Sequence, residues 1–322
     1  MPATVTHAFF AKDVYDILPD GLNEKIDLER LKMFSQSTDS LMFYNLFSLF
    51  PGKNIRRFQS YFHNNDSQAF FINLLKYIRN HNIDDVDVYT YLIGAICHYS
   101  LDSIVHPYVI YKTGRFNKRN PNTYKYNNAH AFMEVFIDND MIRRRCKCNP
   151  YKFDITGYCF DIKPFSNDLE KTINYTFYHT FKLRGMSKIY YKSLKQMKTA
   201  LRLFRKDRYG IKKFIYQLVD TFTPRWAYRF EAISYHQPLK DKYNYLNNDH
   251  KLWRHPAIYD LTSEESFIDL YLKALAEAKE LIYTSFEYLS GDDIDLTKVF
   301  TNKSYITGLD CNDKKELKYF EF

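Results

Sequence analysis

The sequence predicts an all-α fold, and three observations point to that class. Apolar residues recur every three or four positions in many segments of the 322-residue chain, which is the spacing of a buried helical face. Only 9 Gly and 10 Pro are present, too few for the many turns of a β-rich fold. With 45% apolar and 26% charged residues, the chain is globular and long enough to bury a sizeable core. We expect one multi-helix domain over residues 1–290 and a polar, loosely held extension over residues 291–322.

The first part of the chain is predicted to form three helical segments. They cover residues 4–18, 23–34 and 55–80, with a turn at Pro51-Gly52. His7 lies near the apolar face of the first segment, where a lone histidine is usually a core residue. Asp39 follows Thr38 in a polar break between apolar runs, where capping a helix is its simplest role. His63 lies inside the third segment, next to two aromatic residues.

Residues 89–138 carry the most informative pattern in the chain. His98, Asp102 and His106 recur every fourth residue in an apolar run. Each four-residue step on an α-helix turns a side chain by only about 40°, so the three residues share one face. Pro107 follows directly, and a residue before proline disfavours helical dihedral angles. We therefore expect the helix to end or kink near His106.

A second, shorter row repeats this arrangement. His130 and Glu134 are also four residues apart, in the apolar run that ends near Asp138. The segment between the two rows, residues 111–128, is rich in Asn, Lys and Arg and is predicted to be a loop at the entrance of a site. Two helices that each present such a row to the core can enclose two adjacent metal ions.

The net charge of +8 is concentrated in residues 182–213. This stretch holds twelve Lys or Arg against the single Asp207, a local charge of +11 that leaves about −3 for the rest of the chain. Six apolar residues fall at helical spacing within it: Met186, Tyr190, Leu194, Met197, Leu201 and Phe204. The pattern predicts a basic amphipathic helix that packs on the core with its charged face in water. The alternative is peripheral contact of that face with an anionic membrane or with nucleic acid.

The last predicted helix covers residues 263–289, with Thr262 and Glu265 as a capping box and Gly291 beyond its end. No run of about 18 apolar residues is present, so we expect no transmembrane segment. The first residues lack the basic and apolar regions of a signal peptide. The five Cys are too scattered for a disulfide framework. We therefore expect a cytoplasmic protein.

Eight residues on these patterns are candidate metal ligands: His7, Asp39, His63, His98, Asp102, His106, His130 and Glu134. Imidazole and carboxylate groups without thiolates suit zinc and similar divalent ions. Eight ligands exceed what one tetrahedral zinc ion can hold, so two or three ions are expected. A single His–Asp pair would be explained more simply by a buried hydrogen bond, but two rows favour metal binding. Metal pairs about 3.5–4 Å apart are typical of phosphoesterases and nucleases, where they activate water.

The two rows, CHYSLDSIVHPY and HAFMEVFIDND, closely resemble the zinc-dependent phospholipase C family, which shares a superfamily with the single-strand-specific zinc nucleases. The resemblance extends to THAFFAKDV, Thr38-Asp39 and Phe62-His63. The late stretches NNDHKLWRHP and SFIDLYLKA are similar to the broader bacterial branch of the family. The resemblance implies an all-α fold with a metal cluster at the bottom of a cleft.

The resemblance also implies roles for the candidate ligands. Asp39, His63 and His98 would hold one zinc ion, and Asp102 would bridge toward a neighbouring ion. Asp39 is alternatively the general base that acts on the attacking water. Asp39 and Glu134 are accordingly the candidate catalytic residues.

His106, His130 and Glu134 would hold a second zinc ion with positions open to water and phosphate. His7 would bind a third zinc ion together with the N-terminal amine and carbonyl. Secreted family members complete that third site with an N-terminal Trp, whereas this sequence begins Met1-Pro2. The spacing between Asp102 and His106 is also shorter than the corresponding spacing in the secreted members. This difference predicts another geometry at the second site.

The expected activity is metal-dependent hydrolysis of a phosphodiester. Phospholipase C-like action on a phospholipid is the first hypothesis, and action of the same site on nucleic acid or a small phosphodiester is the second. A zinc-binding protein without turnover is the third. A cleft with apolar walls would favour the lipid, whereas aromatic shelves with a basic rim would favour bases and phosphates.

Overall fold

The computed structural model describes residues 4–46, 55–236 and 241–321. α-Helices form its framework: α1, Thr4–Ile17; α2, Asp20–Asn23; α3, Leu28–Phe34; α4, Arg56–Phe62; α5, Ser67–Asn80; α6, Val86–Thr113; α7, Ala129–Cys146; α8, Ile155–Cys159; α9, Asn167–Phe181; α10, Met186–Ala200; α11, Ile211–Phe222; α12, Phe267–Ser290; α13, Leu296–Val299. The predicted all-α fold class is confirmed. The turn predicted at Pro51-Gly52 lies outside the described residues.

Short elements connect these helices. Four 3₁₀ helices span Ser37–Phe43, Pro121–Tyr126, Pro150–Lys152 and Phe230–Ile233, and one π-helical turn spans Leu201–Arg205. The described part of the chain has two strands, β1 (Trp253–Arg254) and β2 (Thr262–Ser263). They pair antiparallel, with Trp253 opposite Ser263.

Helix α6 is the central element of the fold. It is apolar on nearly all sides, as expected of a helix surrounded by protein. Helix α12 packs along it, and α1, α3 and α7 contact it as well. Asp85 caps its first turn by accepting a hydrogen bond from the Val88 amide at 3.0 Å. The row His98, Asp102 and His106 is therefore held inside the protein.

The prediction that this helix ends near His106 is wrong, because α6 continues through Pro107 to Thr113. A proline removes the helical hydrogen bond to the carbonyl four residues earlier, here that of Ser103. The distant residue Gly308 packs against this carbonyl so closely that a Cβ on it would lie 2.5 Å from Ser103 O. The contact with Gly308 thus covers the carbonyl that lacks its helical hydrogen bond. Rules based on neighbouring residues cannot predict such a contact, because Gly308 is distant in the sequence.

Three other predicted elements differ from the structure. The segment 55–80 forms two helices, because the chain turns after His63 and Asp66 adopts a left-handed conformation with φ 55°. The segment 23–34 becomes helical only at Leu28, after the cap Asp27. The capping box of the last long helix consists of Ser266 and Asp269, because Thr262 belongs to β2.

The basic segment 182–213 is divided between helices. Met186, Tyr190, Leu194, Met197 and Leu201 are buried, which confirms the predicted packing on the core. Helix α10 ends at Ala200, and the chain bends before α11 begins. None of the described helices combines the length and apolar character needed to span a membrane.

The C-terminal segment is packed rather than loosely held. Phe300 is fully buried, and Tyr305 is nearly so. Near its end, Lys112 Nζ donates to Glu321 Oε1 at 2.7 Å, and the Tyr319 amide donates to the Pro256 carbonyl at 3.0 Å. Specific polar contacts therefore tie this segment to the helical body. A division of the chain at residue 290 stays a prediction.

Candidate metal centre

All eight predicted ligands meet in one buried cluster. They come from α1, the 3₁₀ helix Ser37–Phe43, the end of α4, α6 and α7, in this order along the chain: His7, Asp39, His63, the row His98, Asp102 and His106, then His130 and Glu134. Every one of them is buried except His130, whose side chain is 31% exposed. The structure thus brings together predicted ligands that are up to 127 positions apart in the sequence.

Asp102 occupies the centre of the cluster. Its Oδ1 lies 3.2 Å from His7 Nε2. Its Oδ2 lies 3.2 Å from His98 Nε2 and 3.6 Å from His106 Nδ1. One carboxylate therefore faces imidazoles from both halves of the cluster, which is the position required of a bridging ligand.

The first group of potential ligand atoms comes from His7, Asp39, His98 and Asp102, and these atoms lie within 4.8 Å of one another. His63 borders this group, with its Nε2 3.3 Å from Asp39 Oδ1 and 3.4 Å from His98 Nε2. The geometry therefore places His7 beside Asp39 and His98, whereas the resemblance assigned it to a separate third site.

The second group consists of His106, His130 and Glu134. Glu134 Oε1 lies 2.8 Å from His130 Nε2 and 3.9 Å from His106 Nε2. This group matches the trio that the resemblance implied. It adjoins the first group through the contact between Asp102 and His106.

Two imidazole rings are held in the orientation that metal-bound histidines adopt. His98 Nδ1 lies 3.0 Å from the Ser35 carbonyl, and His106 Nδ1 lies 2.8 Å from the Tyr305 carbonyl. A carbonyl accepts from a protonated Nδ1, which leaves Nε2 unprotonated in the neutral ring and able to bind a metal. His98 Nε2 faces Asp102 and His106 Nε2 faces Glu134, while His106 Nδ1 also lies 3.6 Å from Asp102 Oδ2.

The position of His7 follows from the way α1 begins. The Asp138 carboxylate accepts hydrogen bonds from the Val5 amide at 3.1 Å and from the Thr6 amide at 2.8 Å. It also accepts the Thr6 hydroxyl at 2.7 Å and the Tyr235 hydroxyl. Asp138 thus satisfies the free amides of the first turn and fixes the helix that carries His7.

The donor set fits a metal ion on three grounds. His7 Nδ1, Asp39 Oδ2 and Asp102 Oδ2 are buried and form no hydrogen bond with the described residues, although the structure otherwise pairs most buried polar atoms. Neighbouring ligand atoms in the first group are 3.2–3.7 Å apart. Tetrahedral zinc, with bonds near 2.0–2.1 Å to nitrogen, requires separations of about 3.3 Å.

The third ground is a cavity of about 30 Å³ between the two groups, lined by His7, Asp102, His106 and Glu134. Its volume is about that of one water molecule, so an ion or a water fits there. Hydrophobic residues such as Val105 and Phe267 form the remaining walls. Polar groups therefore converge on a small space whose other walls are apolar.

The pKa shifts of the clustered carboxylates and imidazoles also favour binding of a cation. Burial and the Asp102 carboxylate raise the pKa of Asp39 to about 7. Burial would lower the pKa of His106, but Asp102 and Glu134 raise it to about 9. Burial would raise the pKa of Asp102, but His106 and His98 hold it well below its usual range. A divalent cation would relieve this crowding of carboxylates, with release of protons.

A cleft of about 520 Å³ opens next to the second group, with His130 in its wall. Its other lining residues include Met42, Ile110, Phe116, Tyr126, Tyr228, Ile306 and Leu317, together with the cations Arg115 and Lys315. Among the described residues, no Asp or Glu lines the cleft. The segment 111–128 contributes to this wall, as predicted, although it is not all loop: its first three residues belong to α6 and residues 121–126 form a 3₁₀ helix. His130, with its partly exposed ring, connects the cleft to the cluster.

Sequence reasoning missed three residues that hold the ligands in place. Tyr305 accepts from His106 through its carbonyl, donates its amide to the His63 carbonyl at 2.9 Å and stacks its ring on His63. Gln59 Nε2 donates to Asp39 Oδ1 at 2.7 Å and lies 3.0 Å from His63 Nδ1. Asp138 was detectable, because it lies four residues after Glu134 and extends that row. Tyr305 left no signal, because its polar contacts are made by the backbone.

Gly308→Ala is expected to weaken the metal centre from a distance. The added Cβ would collide with the Ser103 carbonyl, and the φ of +67° strains any side chain. Displacing this turn would move Tyr305 and release His106, so we expect zinc affinity to fall about 10- to 100-fold. The measurement is zinc affinity by competition with a chromophoric chelator.

Gly185→Ala is the matched control for this variant. Gly185 has nearly the same φ, +69°, but a Cβ there meets nothing within 4 Å. It should lose some stability through backbone strain and keep its zinc affinity. Equal zinc affinity in both variants would show that the C-terminal turn does not position His106.

Fold and site together define an all-α protein with two adjoining His/carboxylate groups, one of which reaches a cleft through His130. The sequence profile of the zinc dependent phospholipase C family matches residues 6–184, which is more than half of the chain and includes all eight ligands. The chain belongs to the zinc-dependent phospholipase C family. Searches of curated proteins and of solved structures found no match. The similarity of the late stretches to bacterial members falls outside the matched residues and stays a prediction.

Proposed function

We propose that this protein is a phospholipase C-type hydrolase that cleaves the phosphodiester bond of a phospholipid with two or three zinc ions. The observation that carries the proposal is the pairing of two ligand groups through Asp102 and His106, with one group opening on a cleft at His130. Family membership supports the same chemistry. The products would be a diacylglycerol and a phosphorylated headgroup.

Each part of the cluster has a task in this proposal. The first group, with His63 at its border, and the second group would each hold zinc, and Asp102 would join them. When bound, the ions would lower the pKa of water and neutralise charge on the phosphoryl oxygens. Asp39 is the proposed general base, since its Oδ2 accepts no hydrogen bond from the described residues. Glu134 would orient the second group toward the cleft through its contact with His130.

The cleft supports a lipid substrate more than a nucleotide. Apolar side chains such as Met42, Ile306 and Leu317 offer surface for the glycerol and the first acyl carbons. Arg115 and Lys315 offer positive charge for a phosphate. Arg115 forms no ion pair with the described residues, so its charge is available to a ligand.

Hydrolysis of nucleic acid or of a small phosphodiester is the second candidate function. Phe116, Tyr126 and Tyr228 also line the cleft, and aromatic rings beside cations are the usual platform for stacked bases. The two candidates share the metal centre and differ in the substrate that fills the cleft. A cytoplasmic location stays a prediction, and with it the inner leaflet would be the lipid surface encountered.

Phosphorus NMR of a reaction with mixed phospholipids tests the proposal. Zinc-loaded protein should convert the phosphodiester signal to a phosphomonoester signal, and Glu134→Gln should lower the rate by about 100-fold or more, since a charged metal ligand is lost. Glu280→Gln, at an exposed glutamate on α12, is the control and should be unchanged. Turnover of single-stranded nucleic acid but not of lipid would favour the second candidate.

A further inference from the structure

Helix α11 exposes its apolar face to solvent. Six of its residues are large, apolar and exposed: Ile211, Phe214, Ile215, Leu218, Val219 and Phe222. At 100° per residue these positions fall within an arc of about 140°, so they form one continuous face. Phe222 is 85% exposed and Phe214 is 61% exposed. The chain thus presents to water the kind of surface that helices normally bury.

The opposite, polar face of α11 is the one that contacts the protein. Asp220 accepts hydrogen bonds from the amides of Phe230 and Glu231, both at 2.9 Å. Tyr216 donates its hydroxyl to the Phe204 carbonyl at 3.0 Å. Lys213 Nζ lies 3.9 Å from Glu231. Specific polar contacts therefore fix the helix in this inverted orientation.

The start of the helix is fixed in the same way. Asp207 is buried and accepts hydrogen bonds from the amides of Lys212 at 3.2 Å and Lys213 at 2.7 Å. It also accepts the Ser234 hydroxyl at 3.1 Å. A carboxylate at this end stabilises the helix through its free amides. Specific hydrogen bonds of the fold therefore hold α11 with its apolar face exposed.

The exposed charges around this face are basic. Arg202, Lys206, Arg208 and Arg225 are exposed, and none forms an ion pair with the described residues. Between Arg202 and Arg225 the acidic residues are Asp207 and Asp220. Both are buried and accept hydrogen bonds from backbone amides. The surface accordingly combines apolar side chains with uncompensated positive charge. Tyr209 and Trp226, both exposed, flank the helix with the ring types that favour a membrane–water interface.

The segment that follows α11 connects it to the cleft of the metal centre. Asn127 Nδ2 donates to the carbonyls of Arg225 at 2.8 Å and Ala227 at 2.6 Å, which ties the end of α11 to the loop before α7. Tyr228, one residue further on, lines the cleft itself. A surface that covers α11 would therefore lie at the mouth of the cleft.

We propose that α11 and its flanking arginines dock the protein on an anionic phospholipid bilayer. A basic amphipathic helix with aromatic residues on its apolar side binds in the headgroup region of such membranes. Twelve residues span only about 18 Å, short of the roughly 30 Å hydrocarbon layer, so α11 would lie in the surface. The role of docking, which is to present lipid to the cleft, rests on the proposed function.

A second copy of the chain is the main alternative occupant of this face. A two-fold dimer through α11 would bring the basic residues of one protomer close to the same residues of its partner. No acidic side chain on the exposed face would offset that repulsion among the described residues. Charge therefore favours an anionic surface over self-association.

Flotation of the full-length protein with vesicles tests this proposal. We expect binding to vesicles of equal parts phosphatidylcholine and phosphatidylserine, weaker binding in high salt, and little binding to phosphatidylcholine alone. Phe214→Asp combined with Phe222→Asp should reduce binding at least about tenfold. Leu272→Asp, at a leucine 55% exposed on α12, is the matched control and should bind like the wild type.

Hydrolysis of a water-soluble phosphodiester separates this proposal from the proposed function. The double variant should keep the wild-type rate on that substrate, because both phenylalanines lie outside the metal centre. Vesicle binding itself needs no turnover, so it can succeed even where hydrolysis fails. The docking proposal is overturned by absent binding of the wild type, by equal binding of the double variant, or by a dimer in sedimentation that the double variant abolishes.

Discussion

Asp102→Asn is expected to abolish zinc binding by the cluster and phosphodiester hydrolysis with it. Asparagine keeps the size of the side chain but removes the charge that lies between His7, His98 and His106. Loss of a group that merely supports a ligand costs about 10- to 100-fold in metal affinity, so loss of the central carboxylate should exceed about 100-fold. Hydrolysis should fall at least in proportion, because the ions supply the chemistry.

The same substitution also leaves the imidazoles without their main counter-charge. Asp102 is the nearest charge that raises the pKa of His7 against the effect of burial, and it does the same for His106. Removing one partner of a buried charged pair costs about 3–5 kcal/mol when the other stays charged. The histidines can lose a proton instead, so we expect a smaller loss of stability and a protein that still folds.

Asp140→Asn is the matched control for this variant. Asp140 is also buried on a helix, but it pairs with Arg143 and Arg144 rather than with the cluster. It should lose some stability while keeping zinc and turnover. Zinc content by mass spectrometry and the rate on a soluble phosphodiester decide the comparison. If the Asp102→Asn protein kept the wild-type zinc content and hydrolysis rate, Asp102 would not be a ligand that the metal centre requires.

Removal of zinc should produce the second large effect, a fall in thermal stability. Ions that bind only the folded state stabilise it by about 4 kcal/mol when present at a thousandfold excess over Kd. For a domain of this size that corresponds to roughly 10 °C in melting temperature. Chelation should therefore lower the melting temperature, and added zinc should restore it. Magnesium should not, because it prefers oxygen ligands and the cluster contains five histidines.

The Asp102→Asn variant serves as the control for chelation as well. A protein that has lost its zinc should melt at the same temperature with and without chelator. Differential scanning calorimetry on both proteins gives the comparison directly. A wild-type melting temperature indifferent to chelator would mean that the cluster is stable as a set of buried His–carboxylate hydrogen bonds.

The ligand rows could be predicted because they are local patterns of side chains. His98, Asp102 and His106 repeat at the helical period, and α6 is the helix that this period requires. His130 and Glu134 follow the same rule on α7. His7, Asp39 and His63 were candidate ligands by residue type, and the family resemblance assigned them to ions together with the rows, which spacing alone could not do. Their convergence depends on the packing of α1 on α6, of α6 on the 3₁₀ helix Ser37–Phe43, and of α4 on that 3₁₀ helix.

Other features depend on contacts that no local pattern encodes. The course of α6 through Pro107 involves Gly308, about two hundred residues away in the chain. The orientation of His106 depends on a backbone carbonyl, which any residue could supply at position 305. Periodicity identified amphipathic helices, but it cannot tell that α11 turns its apolar face outward. Asp207 and Asp220 decide that orientation through backbone amides that are brought together only in the fold.

Anomalous diffraction at the zinc absorption edge, from crystals of protein purified without added metal, tests the central claim most directly. We expect two or three zinc peaks inside the cluster, with one bounded by His7, Asp39, His98 and Asp102 and another bounded by His106, His130 and Glu134. The absence of a peak in the cluster, or zinc only at an unrelated surface position, would contradict it. In that case the eight side chains would form a buried polar network, and a different source of phosphodiesterase activity would be required.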